Sequence, residues 1–130
     1  MIAIDTNVLV RFFTQDDPDQ YQKSIHIFTS KEVFITGTVI FETEWVLRYA
    51  YNFEPSQIAT AFKKLFGLPN VYSQDADRVA LAITWHETGL DFADALHLAQ
   101  SIHCQHLLTF DQRFVKRAKP LQSCPVQMVE

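Results

Sequence analysis

The chain has 130 residues, of which 48% are hydrophobic and 20% are charged, and its formal net charge is −4. This composition excludes a disordered chain, and the acidic balance argues against a general polyanion-binding surface, which needs clustered basic residues. It does not exclude a nuclease, because a bound divalent cation reverses the charge of an acidic site. A chain of this length buries about two-thirds of its unfolded surface, and we expect one domain over residues 1–130.

In chain order, short apolar runs alternate with runs of helical periodicity. The predicted strands cover residues 2–4, 33–35, 71–72, 107–108 and 126–129. The first predicted helix follows Asp5. Later helices are predicted to begin at Asp17-Pro18, Thr38, Glu54-Pro55, Ser73 or Asp75, and Asp91, and the last covers residues 113–118. Apolar strands that alternate with helices are typical of a parallel sheet covered by helices on both faces. The pattern therefore predicts an α/β protein.

The cysteines and the lengths of the apolar runs favour a location in the cytoplasm. Cys104 and Cys124 form no CxxC pair, so we expect free, reduced thiols, as in a reducing cytoplasm. No apolar run approaches the roughly 18 residues that span a bilayer, and Asp5 interrupts the N-terminal apolar stretch, which argues against a signal peptide. We expect a cytoplasmic protein that has no membrane partner.

Carboxylates recur where a predicted strand gives way to a helix. Asp5 follows the first strand and Asp111 follows the fourth. Sites in open parallel sheets lie beyond the carboxyl ends of the strands, so Asp5 and Asp111 can meet if their strands are neighbours. Crowded carboxylates repel one another, and a fold that gathers them usually holds a cation. This pattern favours metal-assisted chemistry on phosphate.

A second acidic pair lies at the start of a predicted helix. Asp91 and Asp94 are three residues apart, which places them on one side of the first helical turn, where the helix dipole favours anions. Capping of the helix is sufficient by itself to explain Asp91. Asp94 is the stronger functional candidate of the two.

Four segments carry a resemblance to a known family. They are Ile4-Asp5-Thr6-Asn7-Val8-Leu9, Glu42 before Trp45-Val46-Leu47, Asp91 to Ala99, and Leu108-Thr109-Phe110-Asp111. Together they resemble a PIN domain and, more narrowly, the VapC-type toxins of bacterial toxin–antitoxin pairs, in the same order and over essentially the whole chain. The resemblance implies a three-layer α/β/α sandwich with a central, mostly parallel sheet, and a metal-dependent ribonuclease.

The resemblance also assigns roles by position. It implies an acidic quartet, Asp5, Glu42, Asp94 and Asp111, with Asp91 as an additional acid found in part of the family; the polar residues Thr6, Asn7 and Thr109 match positions that support the quartet. An all-oxygen site suits Mg²⁺ or Mn²⁺, which would activate water to hydrolyse an RNA phosphodiester bond. Glu44 is about 200° from Glu42 on a helix, and we expect it to face solvent.

Basic and aromatic residues give the remaining expectations. Candidates for holding RNA phosphates are Arg11, Arg113, Lys116 and Arg117, although a solvated helix face explains the last three equally well. His97 is one turn after Asp94, and we expect a satisfied or half-buried helix histidine. The resemblance further implies an antitoxin whose C-terminal segment covers the site, and a homodimer. The aromatic residues Trp45, Tyr49, Tyr51 and Phe53 offer a dimer surface, and core packing competes with that role.

Two other function classes compete with the ribonuclease. The first is a phosphatase that uses Asp5 as nucleophile, but that chemistry usually needs a second acid two residues later, where this chain has Asn7. The second is a PIN-like module that binds RNA or protein without cutting it, and the presence of all four acids argues against that class.

Overall fold

The structure, a computed structural model, describes residues 1–130 as seven helices and five short strands. The chain forms two compact units, Met1–Ala76 and Asp77–Glu130. All strand pairs are parallel, which confirms the predicted α/β class. None of the helices is long and apolar enough to cross a bilayer.

The first unit has a three-stranded parallel sheet and four helices. Its strands are β1 (Ile2–Ala3), β2 (Val33–Ile35) and β3 (Val71–Ser73), in the order β1-β2-β3. Its helices are α1 (Thr6–Phe13), α2 (Pro18–Ser30), α3 (Gly37–Ala50) and α4 (Pro55–Phe66). Every strand-to-strand step passes through helices, as parallel pairing requires.

The core of the first unit comes from the apolar faces that the helical spacing predicts. Leu9 of α1, Val33 and Ile35 of β2, and Ile58 and Phe62 of α4 have no accessible surface. Burial of each such side chain contributes about 1.5–3 kcal/mol to folding. This core holds α1 and α3 in place; Asp5 is the N-cap of α1, and Glu42 lies in the second turn of α3.

Helix starts in this unit follow local capping chemistry. Asp5 and Asp17 cap α1 and α2 with their side chains, and Glu54 and Gln57 form a reciprocal capping box before α4. The predicted cap of α3, Thr38, is wrong, because the hydroxyl of Thr36 accepts the hydrogen bond from the Val39 amide at 3.3 Å. Both threonines are good caps, and the end of β2 at Ile35 decides between them.

The second unit contains α5 (Ala76–Glu87, which begins at the unit boundary), α6 (Phe92–Gln100), β4 (Leu107–Thr109), α7 (Gln112–Ala118) and β5 (Val126–Met128). β4 and β5 are parallel partners, with Leu107 opposite Val126. The connection between α5 and α6 turns at Gly89, whose φ of 110° favours glycine. Inside that turn, buried His86 shares a 2.8 Å Nδ1 hydrogen bond with the Leu90 carbonyl.

Strand pairing does not make the first and fourth strands neighbours. β1 is hydrogen-bonded to β2, and β4 is hydrogen-bonded to β5 in a separate sheet. Asp5 and Asp111 are the helix caps that follow β1 and β4, each two residues after the strand ends, so both occupy the predicted strand-to-helix positions.

Candidate active site

Asp5 is held at the start of α1. The residue has extended backbone, and its carboxylate accepts a 3.2 Å hydrogen bond from the Val8 amide. The carboxylate is nevertheless exposed, which leaves its other lone pairs open to a ligand. Asp5 is therefore both a helix cap and an available anionic donor.

Glu42 is joined to the residue that follows Asp5. The hydroxyl of Thr6 donates a 3.3 Å hydrogen bond to Oε1 of Glu42, so a polar contact links the start of α1 to α3. Glu42 is exposed, as is Asn7. Asn7 lines a hollow together with Arg11. Within the first unit, the structure thus connects two predicted site positions through Thr6.

The expectation that Glu44 faces solvent is wrong. Glu44 is 2% exposed, and its carboxylate accepts a 2.7 Å hydrogen bond from Nε of Arg48. The cause is helical periodicity: Ile40, Thr43, Glu44 and Leu47 form one buried stripe on α3. This pair, with the Glu44 carboxylate as the main cause, raises the pKa of Arg48 above its ordinary value. Glu44 is structural, and Glu42 remains the available acid on this helix.

In the second unit, three acids line one hollow. Asp91, Asp94 and Asp111 share a depression of about 370 Å³ with Leu90, Arg113, Phe114 and Arg117. Burial, followed by the charges of Asp91 and Asp111, raises the pKa of Asp94 above its ordinary value. The hollow therefore collects more negative charge than its surroundings neutralise.

Local hydrogen bonds fix two of these acids. Asp91 caps α6 by accepting a 3.3 Å bond from the Asp94 amide, as its spacing predicts. Asp111 caps α7 by accepting bonds from the amides of Arg113 and Phe114 at 2.9 and 3.4 Å. The Asp111 amide in turn donates to the Thr109 hydroxyl at 3.0 Å, so Thr109 contacts the backbone of Asp111.

Two variants distinguish the contribution of Asp111 as a helix cap from the contribution of its charge to the stability of α7. We expect Asp111→Ala to lower the free energy of unfolding by about 1 kcal/mol, because it removes the helix cap. Asp111→Asn keeps an N-cap and should stay within about 0.5 kcal/mol of the native chain. Urea unfolding of both variants measures the difference. Equal losses in both would show that the charge, not the cap, matters for folding.

The basic residues predicted to hold RNA phosphates lie in different environments. Arg113 and Arg117 line the acidic hollow, and Nη1 of Arg117 donates to the Gly89 carbonyl at 3.2 Å. Lys116 is exposed and does not line the hollow. In the first unit, Arg11 donates to Asp16 at 3.0 Å and to Gln20 at 2.7 Å. Those bonds give Arg11 a structural task that its sequence position did not indicate.

Two further side chains add to these networks. His97 is exposed, contrary to the expectation of a satisfied or half-buried histidine, and its charge lowers the pKa of Asp94 against the larger upward effects. Tyr51 accepts from Arg11 at 2.9 Å and donates to Asp16 at 2.7 Å. The Tyr51 contacts join positions 35 and 40 residues apart, so no local sequence signal identifies them.

The donor chemistry suits a hard divalent cation. Both units offer carboxylate oxygens, which Mg²⁺ and Mn²⁺ prefer. Burial and then repulsion from Asp91 and Asp111 raise the pKa of Asp94, and a nearby cation would favour its ionised form. No three His, Cys, Asp or Glu side chains are arranged closely enough to enclose an ion. The joint action of Asp5, Glu42, Asp94 and Asp111 stays a prediction.

Comparison with known proteins gives one family. A family model described as the PIN domain matches residues 2–120. Curated proteins give no significant match. The match covers the strands and helices that carry all the acids described above. PIN domains are generally nucleases, and this chain belongs to the PIN domain family.

Proposed function

We propose that the chain is a metal-dependent endoribonuclease that hydrolyses phosphodiester bonds in RNA. The acidic hollow of the second unit carries the proposal, because it combines unneutralised carboxylates with two arginines in a PIN domain. A nuclease needs anionic ligands for a cation and basic groups for phosphate. The hollow supplies both kinds of group.

The proposed ligands are the acidic quartet. Asp5 and Asp94 would be the main ligands of Mg²⁺ or Mn²⁺, and Glu42 and Asp111 would assist directly or through water, with Asp91 as an additional acid. When bound, the metal supplies a water of lowered pKa and stabilises charge on the phosphate oxygens. The family supports treating the quartet as one functional group; Asp5, Glu42 and Asp111 are exposed, and Asp94 is half-buried.

Other residues hold these groups and the substrate. The Thr6 hydroxyl orients Glu42, and Thr109 fixes the backbone that presents Asp111. Arg113 and Arg117 line the hollow beside the acids and would bind phosphate oxygens there, and Lys116 would add charge outside the hollow. Because Arg117 is tethered to the Gly89 carbonyl, little side-chain entropy remains to be lost when it binds phosphate.

The direct test is cleavage of end-labelled RNA by the purified chain. Mn²⁺ or Mg²⁺ should give discrete fragments, and chelation should stop the reaction. RNA that is bound but left intact with either metal would favour the non-cleaving module instead. A phospho-aspartate trapped on Asp5 would favour the phosphatase, which the amide of Asn7 disfavours because an amide does not act as an acid or base.

We further propose that the chain is the toxin of a toxin–antitoxin pair. An open hollow of about 660 Å³ in the first unit is lined by Phe12, Phe13 and Tyr21 together with Thr60 and Lys64. Apolar side chains of an antitoxin segment would fit this hollow, as in other helix-in-groove complexes. Expression in a bacterial cytoplasm should arrest growth, and co-expression of the protein encoded beside it should restore growth.

Self-association is proposed through exposed aromatic residues of α3. Phe41, Trp45 and Tyr49 recur every four residues on one face and are 41%, 54% and 63% exposed; we name them the α3 stripe. Trp45 and Tyr49 lie 5.3 Å apart, and the Arg48 guanidinium covers the Tyr49 ring at 4.5 Å. Aromatic residues and arginine dominate the energetics of protein interfaces. We propose that the homodimer buries this stripe.

A charge placed in the α3 stripe should dissociate the dimer. We expect Trp45→Glu to weaken association at least tenfold, since a truncated interface aromatic typically costs about 2 kcal/mol or more. Light scattering would then give the single-chain mass of 15.0 kDa. Tyr72→Glu is the control, because Tyr72 is 41% exposed but lies outside the stripe, on β3. A dimer retained in Trp45→Glu would place the interface elsewhere.

A further inference from the structure

Both cysteines lie at the same end of the small parallel sheet in the second unit. Cys104 precedes β4 by three residues and Cys124 precedes β5 by two. The strands start side by side, because Leu107 is opposite Val126 and the Leu107 amide donates to the Pro125 carbonyl at 2.8 Å. Neighbouring strands are about 4.8 Å apart, so the register brings the two approach segments close together.

The two thiols have complementary accessibility. Cys104 is exposed, in the loop after α6, whereas Cys124 is buried, and both are free thiols as predicted. Burial and then the nearby Cys104 raise the pKa of the Cys124 thiol, so the two sulfurs are within electrostatic reach of each other. An exposed thiol with a buried neighbour is a common arrangement for stepwise oxidation.

We propose that Cys104 and Cys124 form an intramolecular disulfide under oxidising conditions, and that this bond ties the start of β4 to the start of β5. The loop that it closes contains α7 and therefore Asp111, Arg113 and Arg117. The disulfide needs Cα atoms about 4.4–6.8 Å apart, and the exposed loop before β4 can supply any small adjustment. The bond is a modification site that does not depend on the proposed nuclease activity.

Glutathione disulfide is a suitable oxidant, and the reaction balances in two exchanges. The Cys104 thiolate attacks one sulfur of glutathione disulfide and releases one glutathione thiolate. The Cys124 thiolate then attacks the Cys104 sulfur of the mixed disulfide and releases the second. Two protein thiols lose two electrons and two protons, and one glutathione disulfide becomes two glutathione thiols.

The test is incubation of the full chain with glutathione disulfide, followed by alkylation and mass spectrometry. We expect a monomer that has lost two hydrogens, with a linked Cys104–Cys124 peptide and a melting temperature raised by roughly 5 °C. Cys124→Ala should stop the reaction at a glutathione adduct on Cys104, and Cys104→Ser should prevent it. A native chain that stops at the Cys104 adduct, or forms a disulfide-linked dimer, would overturn the proposal.

Discussion

Replacing Asp94 with Asn should lower the rate of RNA cleavage at least a hundredfold while raising the melting temperature of the metal-free protein. The first effect follows if Asp94 is a main metal ligand, as proposed above, since metal activation of water accounts for several kcal/mol of barrier lowering. The second follows because Asn removes a charge that is opposed by burial and by Asp91 and Asp111. Opposite effects on activity and stability are characteristic of a functional carboxylate.

The sign of the stability effect depends on pH. The folded chain binds a proton on Asp94 more tightly than the unfolded chain, because the folded-state pKa is raised. Stability therefore falls as pH rises from the unfolded pKa, near 3.9, through the folded pKa. The penalty is complete at pH 7 and absent below the unfolded value. Asp94 is partly exposed, so we expect a gain of only about 2 °C at pH 7, and none near pH 3.

Thermal melts in chelator at the two pH values measure this effect. Asp77→Asn is the matched control, because Asp77 is also a first-turn acid in the second unit but does not line the acidic hollow. Its loss should leave the melting temperature unchanged or slightly lower, since it removes a favourable dipole contact. A lower melting temperature in Asp94→Asn at pH 7 would show that Asp94 is not electrostatically opposed in the fold.

Replacing Arg48 with Met should be the most destabilising change of a charged residue outside the acidic site. The Glu44 carboxylate is 3% exposed, and Nε and Nη2 of Arg48 donate hydrogen bonds to it at 2.7 and 3.4 Å. Removal of one partner from a buried pair leaves an uncompensated charge and costs about 3–5 kcal/mol. The Arg48 side chain is itself 36% exposed, so water can partly replace it. We expect a loss on the order of 2 kcal/mol in urea unfolding.

The chain offers a matched control and a test of cause. Asp19 and Lys23 form a pair with the same spacing, but both side chains are about three-quarters exposed, and Lys23→Met should change stability by less than about 0.5 kcal/mol. Adding Glu44→Gln to Arg48→Met should recover most of the loss, because no buried charge remains. If the double variant is as unstable as Arg48→Met, lost packing of the Arg48 stem is the cause instead.

Local chemistry explains which parts of the fold could be predicted from the sequence. Asp5, Asp17 and Asp91 are caps because their short carboxylates reach the amide three residues later. Strand and helix order follows from hydrophobic periodicity. The same periodicity indicates that Glu44 is buried, since positions 40, 43, 44 and 47 form a buried stripe on α3. Arg48 lies one turn after Glu44 and can pair with it.

Contacts between residues that are far apart in the chain could not be predicted from the sequence. The pairing of β4 with β5, and of β1 with β2 alone, depends on tertiary packing that no short segment encodes. The same is true of the Tyr51, Asp16 and Arg11 contacts. For the candidate site, the ends of the predicted strands indicate Asp5 and Asp111, the spacing of three residues pairs Asp91 with Asp94, and the resemblance alone indicates Glu42. The structure adds the hydrogen bonds from Thr6 and to Thr109 and the electrostatic strain at Asp94.

The proposed function depends most on Asp5 and Asp94 acting as ligands of the same catalytic metal ion. Mn²⁺ affinity measured by calorimetry for the native chain, Asp5→Asn, Asp94→Asn and the double variant tests it most directly. We predict that each single variant loses at least tenfold in affinity and that the double variant loses little more, because members of one site are not additive. Native Mn²⁺ affinity in either single variant, or fully additive losses in the double variant, would contradict the claim.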